Sequence, residues 1–148
     1  MIELANEAAT EALGEGLAVS LRPGDVIALS GTLGAGKTTL ARGLLRGLGF
    51  SGEVASPTFP IVLAYEPPDV RVPLWHVDLY RTDGAVEIEQ LGLDDALTDA
   101  ALLIEWPERL GARLWPEALA LTLEITGPTA RCLTAQVPRA WEERWPPS

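Results

Sequence analysis

The first half of the chain alternates between short apolar runs and segments with helical periodicity. Residues 1–4 ("MIEL") are typical of a short strand, and Asn6 is a suitable N-cap for a helix that continues to about Val19. Residues 25–30 ("DVIALS") follow the turn "RPGD" and are almost entirely apolar, which predicts a buried strand. After a glycine-rich loop, an apolar stripe predicts an amphipathic helix that ends near Gly49. The stripe consists of Leu40, Leu44, Leu45 and Leu48.

The second half contains mostly strand-like segments. Further strands are predicted at 60–65 ("PIVLAY"), 71–80 ("RVPLWHVDLY"), 100–105 ("AALLIE"), 118–125 ("ALALTLEI") and 130–137 ("ARCLTAQV"). Residues 85–97 ("AVEIEQLGLDDAL") read as short acidic helices, and the last two strands could pair across "TGPT". This order predicts an α/β fold with a central mixed sheet that has a parallel core and antiparallel C-terminal strands. We expect a single domain over 1–148, with 138–148 as a short C-terminal tail.

Composition narrows the class of protein. The chain of 148 residues has a formal net charge of −10, which disfavours independent binding to nucleic acid because phosphates would be repelled. No apolar run approaches the roughly 18 residues that a membrane-spanning helix needs, and the acidic N-terminus lacks the pattern of a secretory signal. The single cysteine, Cys132, cannot form an internal disulfide, which favours a reducing compartment. We therefore expect a cytoplasmic protein without a membrane partner.

The only lysine of the chain lies in a phosphate-loop motif. Residues 31–38 ("GTLGAGKT") fit G-x-x-x-x-G-K-[ST] and lie between a predicted strand and a predicted helix, as the motif requires. Glycines allow the loop to wrap around a phosphate, and the first helical turn offers unpaired N–H groups. Lys37 would reach the β- and γ-phosphates, and the hydroxyl of Thr38 would bind Mg²⁺. Elsewhere the chain uses arginine for positive charge; a slim ammonium suits a phosphate-sized loop better than a guanidinium.

Two carboxylates are candidates for the acid that such a site needs near Mg²⁺. Glu105 and Asp78 each end an apolar strand, so each could lie beside the loop at the carboxyl edge of the sheet, or be an ordinary solvated strand end. His76, the only histidine, shares a strand face with Asp78, and a lone histidine is more often structural than catalytic. One histidine and one cysteine exclude a zinc site of the usual kind.

The sequence also bears on the nucleotide and the reaction. An Asn-Lys-x-Asp segment for guanine is impossible because Lys37 belongs to the loop, so ATP is favoured over GTP. A small-molecule kinase usually has a lid with several arginines, and only Arg109 and Arg113 follow Glu105 closely. An ATPase switch or a nucleotide-gated assembly component therefore fits better, and composition does not decide between these two. A metabolite or nucleoside kinase and a nucleotide-dependent interaction module that never hydrolyses ATP stay as alternatives.

Four segments together resemble the bacterial ATPase family of tRNA N6-threonylcarbamoyladenosine biosynthesis, TsaE or YjeE. They are "GTLGAGKTT" (31–39), "SPTF" (56–59), "HVDLYR" (76–81) and "EWPER" (105–109), and the N-terminal "TEALG" adds to them. The resemblance implies a P-loop NTPase-like three-layer fold that binds ATP with Mg²⁺ and hydrolyses it weakly alone. It further implies activity with the two other protein components that modify adenosine 37 of tRNAs reading ANN codons, so that tRNA is met indirectly through them.

The resemblance also implies roles for individual residues. The nucleotide would be bound by Gly34, Ala35, Gly36, Lys37, Thr38 and Thr39, with Thr10 nearby. Thr38 and Glu105 would be the Mg²⁺ ligands, and Asp78 would orient the metal-bound or attacking water. Catalysis is thus assigned to Lys37, Asp78 and Glu105. Ser56 and Thr58 would sense the γ-phosphate, and Arg131 would match a C-terminal arginine near the base.

Overall fold

The computed structural model describes residues 1–32, 34–54, 62–80, 82 and 84–147. Its strands are β1 (Ile2–Leu4), β2 (Val26–Gly31), β3 (Val62–Tyr65), β4 (Leu74–Asp78), β5 (Ala101–Glu105), β6 (Leu119–Ile125) and β7 (Arg131–Gln136). Its α-helices are α1 (Glu7–Ser20), α2 (Lys37–Gly47), α3 (Ala85–Gln90) and α4 (Leu93–Ala96), and short 3₁₀ helices cover Pro107–Arg113 and Arg139–Trp141. In the described part of the chain no helix is both long and apolar enough to cross a membrane.

The strands form one seven-stranded sheet in the order β1-β7-β6-β2-β5-β4-β3. The pairs β6–β2, β2–β5 and β5–β4 are parallel, so four adjacent strands form the parallel core. The outer pairs β4–β3, β6–β7 and β7–β1 are antiparallel. Because β2, β5 and β4 run side by side in the same direction, their carboxyl ends meet at one edge of the sheet.

The sheet separates two apolar cores. Alternate residues of β2 point to opposite sides, so Ile27 and Leu29 join the core under α1 and α2, whereas Val26 and Ala28 join the core with α3, α4 and the Pro107–Arg113 segment. These three layers confirm the predicted P-loop NTPase-like three-layer fold.

Close contact between α1 and α2 fixes the position of the helix that follows the glycine-rich loop. A Cβ atom at Gly14 would lie 2.3 Å from the carbonyl oxygen of Leu40, and one at Gly43 would lie 2.0 Å from the carbonyl oxygen of Glu11. Side chains at these positions would therefore push the helices apart. The glycines let the two backbones touch, which holds α2 rigidly on the sheet.

The predicted mixed sheet, with a parallel core and antiparallel C-terminal strands, is confirmed. The two C-terminal strands, β6 and β7, pair antiparallel with each other, and β6 also pairs parallel with β2, which joins the hairpin to the parallel core. The antiparallel strands lie at both edges and include the N-terminal β1. The last turn "TGPT" does join β6 to β7 as predicted, and Asn6 does cap α1 through a bond from the Ala9 N–H at 2.9 Å.

The segment predicted as a C-terminal tail packs against the body of the protein. Trp141 is fully buried in the core below α1 and α2. Arg144 makes a two-pronged ion pair with the carboxylate of Asp25, at 2.7 and 3.0 Å, and also donates to the carbonyl of Ser20. Since Asp25 immediately precedes β2, the C-terminal segment holds the start of the strand that leads to the glycine-rich loop.

Candidate functional site

The glycine-rich loop connects the end of β2 to the start of α2. Gly34 and Gly36 have φ values of 80° and 102°, which residues with a Cβ atom rarely adopt, so glycine is needed at both positions. Gly36 is the N-cap of α2 and supplies no side-chain cap. A helix leaves its first N–H groups without intrahelical partners, and Gly36 has no side chain to accept from them, so these donors suit an anion, which the helix dipole also attracts.

Lys37 begins α2 and is buried, with 7% of its surface exposed. Its Nζ atom lies 4.4 Å from the ring centroid of Trp106, which is a cation–π contact. Trp106 follows the last residue of β5 with φ of 59°, and its ring packs against Tyr80 at 4.7 Å between centroids. An aromatic pair at the ends of β4 and β5 thus flanks the lysine.

Glu105 and Asp78 face each other at the ends of β5 and β4. The two residues are direct partners in the parallel register, on the same side of the sheet as α2. Glu105 is only 3% exposed, and its Oε2 lies 2.6 Å from Nε2 of His76. His76 itself is completely buried. The carboxylate of Glu105 is thereby held in place by a neighbouring strand.

Asp78 has a more open environment. It is half-buried, and its Oδ1 accepts a 2.9 Å hydrogen bond from the N–H of Tyr80. Burial raises the pKa of Asp78, and the negative charge of Glu105 raises it further. The hydrogen bond from the Tyr80 N–H and the charges of Lys37 and His76 lower the pKa of Asp78. Glu105, Lys37 and His76 therefore all lie close enough to influence the Asp78 carboxylate.

A cleft of about 270 Å³ opens on the other flank of the loop, between α1 and the β6–β7 turn. Its walls are Glu7, Thr10, Gly34, Gly36, Thr39, Pro128, Thr129 and Arg131. Thr10 is buried, and its hydroxyl donates weakly to the carbonyl of Asn6 at 3.4 Å. The cleft adjoins the loop, as a nucleoside pocket must if the phosphates occupy the loop.

Arg131 braces the loop through carbonyl oxygens. Its Nε donates to Ala35 at 3.1 Å, and one terminal nitrogen donates to Gly34 at 3.0 Å. The other terminal nitrogen donates to the carbonyls of Gly127 and Ala130 at 3.2 and 2.8 Å. The guanidinium therefore ties the glycine-rich loop to the turn between β6 and β7.

The structure brings most of the predicted site residues to one sheet edge. Lys37, Asp78 and Glu105 lie together on the α2 side, while Thr10, Gly34, Gly36, Thr39 and Arg131 line the adjacent cleft. Ala35 is buried in the loop, and Thr38 lies in the first turn of α2. Ser56 and Thr58 lie outside the described residues.

Two features of the site were not predicted from sequence. The first is the bond between His76 and Glu105, and the second is the bracing of the loop by Arg131, which was expected near the base. The first could have been found from period-two alternation, since His76 and Asp78 share a face of β4 and Glu105 occupies the matching face of β5. The second depends on where the β6–β7 turn lies in space, for which the sequence carries no signal.

The donor set suits a hard cation bound together with phosphate. The described residues contain no group of three or more histidine, cysteine, aspartate or glutamate side chains that could hold a metal ion by themselves. Mg²⁺ is commonly held by one or two protein oxygens, with phosphates and waters completing its shell. The hydroxyl of Thr38 and the carboxylate of Glu105 are oxygen donors of this kind.

Comparison with known proteins identifies the family. The family model described as "Threonylcarbamoyl adenosine biosynthesis protein TsaE" matches residues 4–133. The tRNA threonylcarbamoyladenosine biosynthesis protein TsaE of Streptomyces coelicolor is 44% identical over 135 residues, covering 90% of this chain and 91% of that protein. The protein of the same name from Bacillus subtilis is 38% identical over 130 residues, covering 87% and 80%.

A solved structure shows the same arrangement of elements. The crystal structure of YdiB from Bacillus subtilis superimposes with a TM-score of 0.81 at 32% identity, covering 97% of this chain and 88% of the other. The family model and the relatives each match most of the chain. The chain therefore belongs to the TsaE family of threonylcarbamoyl adenosine biosynthesis proteins.

Proposed function

We propose that this protein is the Mg²⁺-dependent ATP-binding and ATP-hydrolysing component of the machinery that forms N6-threonylcarbamoyladenosine in tRNA. Its target would be position 37 of tRNAs reading ANN codons. It would act in the cytoplasm, weakly alone and mainly in complex with the two other protein components of the threonylcarbamoyl-transfer system. The names of its relatives support the pathway, and the geometry of the site supports the chemistry.

One observation carries the proposal. The glycine-rich loop, the start of α2 with Lys37, and the two strand-end carboxylates Glu105 and Asp78 converge at one edge of the sheet. Phosphoryl transfer in this class of site depends on positioning and charge neutralisation, for which a lysine, backbone N–H groups and a metal-binding acid are the recurring parts. Each part has a residue of the required kind here.

The chain's own groups have distinct tasks. The N–H groups at the start of α2 and the Nζ atom of Lys37, which lies beside the ring of Trp106, would bind the β- and γ-phosphates. Thr38 and Glu105 would hold Mg²⁺, which when bound neutralises the charge of the phosphate oxygens. Asp78, with one oxygen held by the Tyr80 N–H, is suited to orient the attacking water.

The overall charge of the chain supports indirect contact with tRNA. A formal net charge of −10 opposes binding to RNA alone, whereas basic partner proteins could bind both this chain and the RNA. ATP hydrolysis would then reset the complex between turnovers, with the loops near the γ-phosphate changing when it leaves.

The test is the rate of ADP formation with and without the two partner proteins and tRNA. We expect stimulation by the partners, loss of that stimulated rate in Lys37→Ala, and loss of multiple-turnover tRNA modification in the same variant. Lys37→Arg is the matched control for charge: because the lysine is buried, we expect the bulkier guanidinium to fail as well.

Three other results would point elsewhere. Unchanged multiple-turnover modification with Lys37→Ala would contradict a need for ATP turnover. ADP formation that requires a small acceptor instead of partner proteins would indicate a kinase. ATP binding with no ADP formation in the presence of all partners and tRNA would indicate an interaction module.

A further inference from the structure

His76 forms a buried polar pair with Glu105, the last residue of β5, within the candidate site. Its Nε2 lies 2.6 Å from Oε2 of Glu105, and the side chains of His76 and Glu105 are 0% and 4% exposed. A polar pair at this depth is costly unless its geometry is good, and 2.6 Å is a short, well-formed contact. The pair therefore restricts where the Glu105 carboxylate can lie.

The direction of the hydrogen bond follows from the chemistry of the two groups. An ionised carboxylate only accepts, so Nε2 of His76 must carry the proton and donate it. Among the described residues, Nδ1 of His76 is buried and has no hydrogen-bond partner. The single polar contact of the histidine thus goes to Glu105.

The sheet explains why these two side chains meet. β4 and β5 are parallel, with His76 opposite Leu103 and Asp78 opposite Glu105. Period-two alternation puts all four side chains on the α2 face of the sheet. His76 can therefore reach diagonally to Glu105, which belongs to the next pair on that face. Glutamate has three rotatable side-chain bonds, and the contact removes much of that freedom before any ligand arrives.

We propose that His76 is a positioning residue for Mg²⁺. Its Nε2–H would hold Oε2 of Glu105 and leave Oε1, the oxygen that His76 does not engage, for the cation. The inference rests on the proposed function of Glu105 as a Mg²⁺ ligand. Partners that orient metal-binding carboxylates typically contribute 10- to 100-fold to metal affinity.

The experiment compares substitutions that keep or remove a donor at the position of Nε2. His76→Gln carries its amide nitrogen about as far from the backbone as Nε2, whereas the shorter Asn places its amide near the position of Nδ1. His76→Leu removes all polarity. For each variant, the Mg²⁺ concentration that gives half-maximal enhancement of ATP binding is measured by calorimetry, together with ATP affinity in EDTA and the thermal midpoint of unfolding.

We expect His76→Asn and His76→Leu to raise the half-saturating Mg²⁺ concentration about 10- to 100-fold, with ATP affinity in EDTA unchanged. His76→Gln should stay within about threefold of wild type. In a Glu105→Gln background, Mg²⁺ should fail to strengthen ATP binding whether residue 76 is His or Asn, because the positioned ligand is already gone. A merely structural histidine would lower the melting temperature and both affinities together.

Two outcomes would overturn the inference: folded His76 variants with the Mg²⁺ dependence of wild type, or a Gln variant as impaired as Asn. Should His76→Leu fail to fold, the comparison of Gln with Asn decides. A wild-type protein whose ATP binding ignores Mg²⁺ would overturn the proposed function itself, which is a distinguishable result.

Discussion

The ends of β4 and β5 look alike in sequence and differ in the folded protein. Each is an apolar strand that stops at an acid, and the two acids are partners in the sheet register. Glu105 is 3% exposed and bound to His76, whereas Asp78 is half-buried, accepts a hydrogen bond from the N–H of Tyr80, and has a raised pKa. The same sequence pattern has thus produced one fixed, buried carboxylate, that of Glu105, and one partly exposed carboxylate, that of Asp78.

The difference follows from the neighbours of each strand. β5 lies in the middle of the parallel core, between β2 and β4, and the backbone turns at Trp106 directly after its last residue. β4 lies one strand further out, next to the antiparallel β3. A rigid acid suits a metal ligand, and an acid with an open side suits a group that contacts water, so position in the sheet separates two tasks.

The largest expected effect comes from the fixed acid. Glu105→Gln keeps the size of the side chain but removes its charge, so we expect the partner-stimulated rate of ATP hydrolysis to fall about 10³-fold. Mg²⁺ should also cease to strengthen ATP binding. Rates with saturating partners and calorimetry with and without Mg²⁺ measure both effects.

The matched control is Glu124→Gln, which changes an exposed glutamate of β6 and should leave both quantities at the wild-type level. Retained Mg²⁺ dependence in Glu105→Gln would remove the distinction between the two strand ends.

A smaller loss is expected from the acid with the open side. Asp78→Asn still accepts the Tyr80 N–H but attracts and orients a water less strongly, so hydrolysis should fall about 10²-fold. ATP affinity in the presence of Mg²⁺ should stay within about threefold of wild type, since Asp78 is not assigned to the cation. Equal losses of binding in Asp78→Asn and Glu105→Gln would show that the two acids share one task.

How far the sequence predicts this site depends on the range of the interactions. The strand before the loop, α2 and the antiparallel turn "TGPT" were predictable because apolar periodicity and glycine spacing are local signals. The convergence of Lys37 with Glu105 was predictable from the rule that ligands bind at the carboxyl ends of parallel strands.

The rest depends on contacts that no local pattern records. β6 joins the parallel core although its alternation equally suits an antiparallel strand, and only its pairing with β2 decides. The prolines near the C-terminus were the local signal for a tail. The burial of Trp141 and the ion pair between Arg144 and Asp25, more than a hundred residues away along the chain, leave no local signal of this kind. His76 looked structural because its partner lies on another strand.

Arg131 tests whether the loop itself must be held for either acid to work. Arg131→Ala removes two hydrogen bonds to the loop carbonyls of Gly34 and Ala35, at 3.0 and 3.1 Å, and the loop should become less ordered. We expect ATP affinity to fall about 5- to 10-fold, which corresponds to about 1 kcal/mol. Titration with a fluorescent ATP analogue measures this loss.

Arg139→Ala is the control, since Arg139 is exposed in the C-terminal 3₁₀ helix. If Arg131→Ala bound ATP as tightly as this control, the loop would keep its shape without the brace.

The smallest effect concerns the stability of the ligand-free protein. The pKa of Asp78 is raised in the folded state, chiefly by burial, so the folded protein binds this proton more tightly than the unfolded chain does. Stability therefore falls as pH rises from the ordinary aspartate pKa through the raised value, and the cost is constant above it. Asp78→Asn does not titrate, so its melting temperature should exceed that of wild type by about 1–3 °C near pH 8.

The advantage of Asp78→Asn should shrink as the pH falls through the raised pKa of Asp78, because the wild-type carboxyl then takes up its proton in the folded protein. Melting curves of both proteins between about pH 4 and about pH 8 supply the measurement, and the half-exposed position of the side chain keeps the expected difference small. A pH-independent difference would mean that the substitution acts through packing. A wild-type protein more stable than the variant near pH 8 would mean that the charge of Asp78 is satisfied in the folded state, and that both strand ends hold their acids equally well.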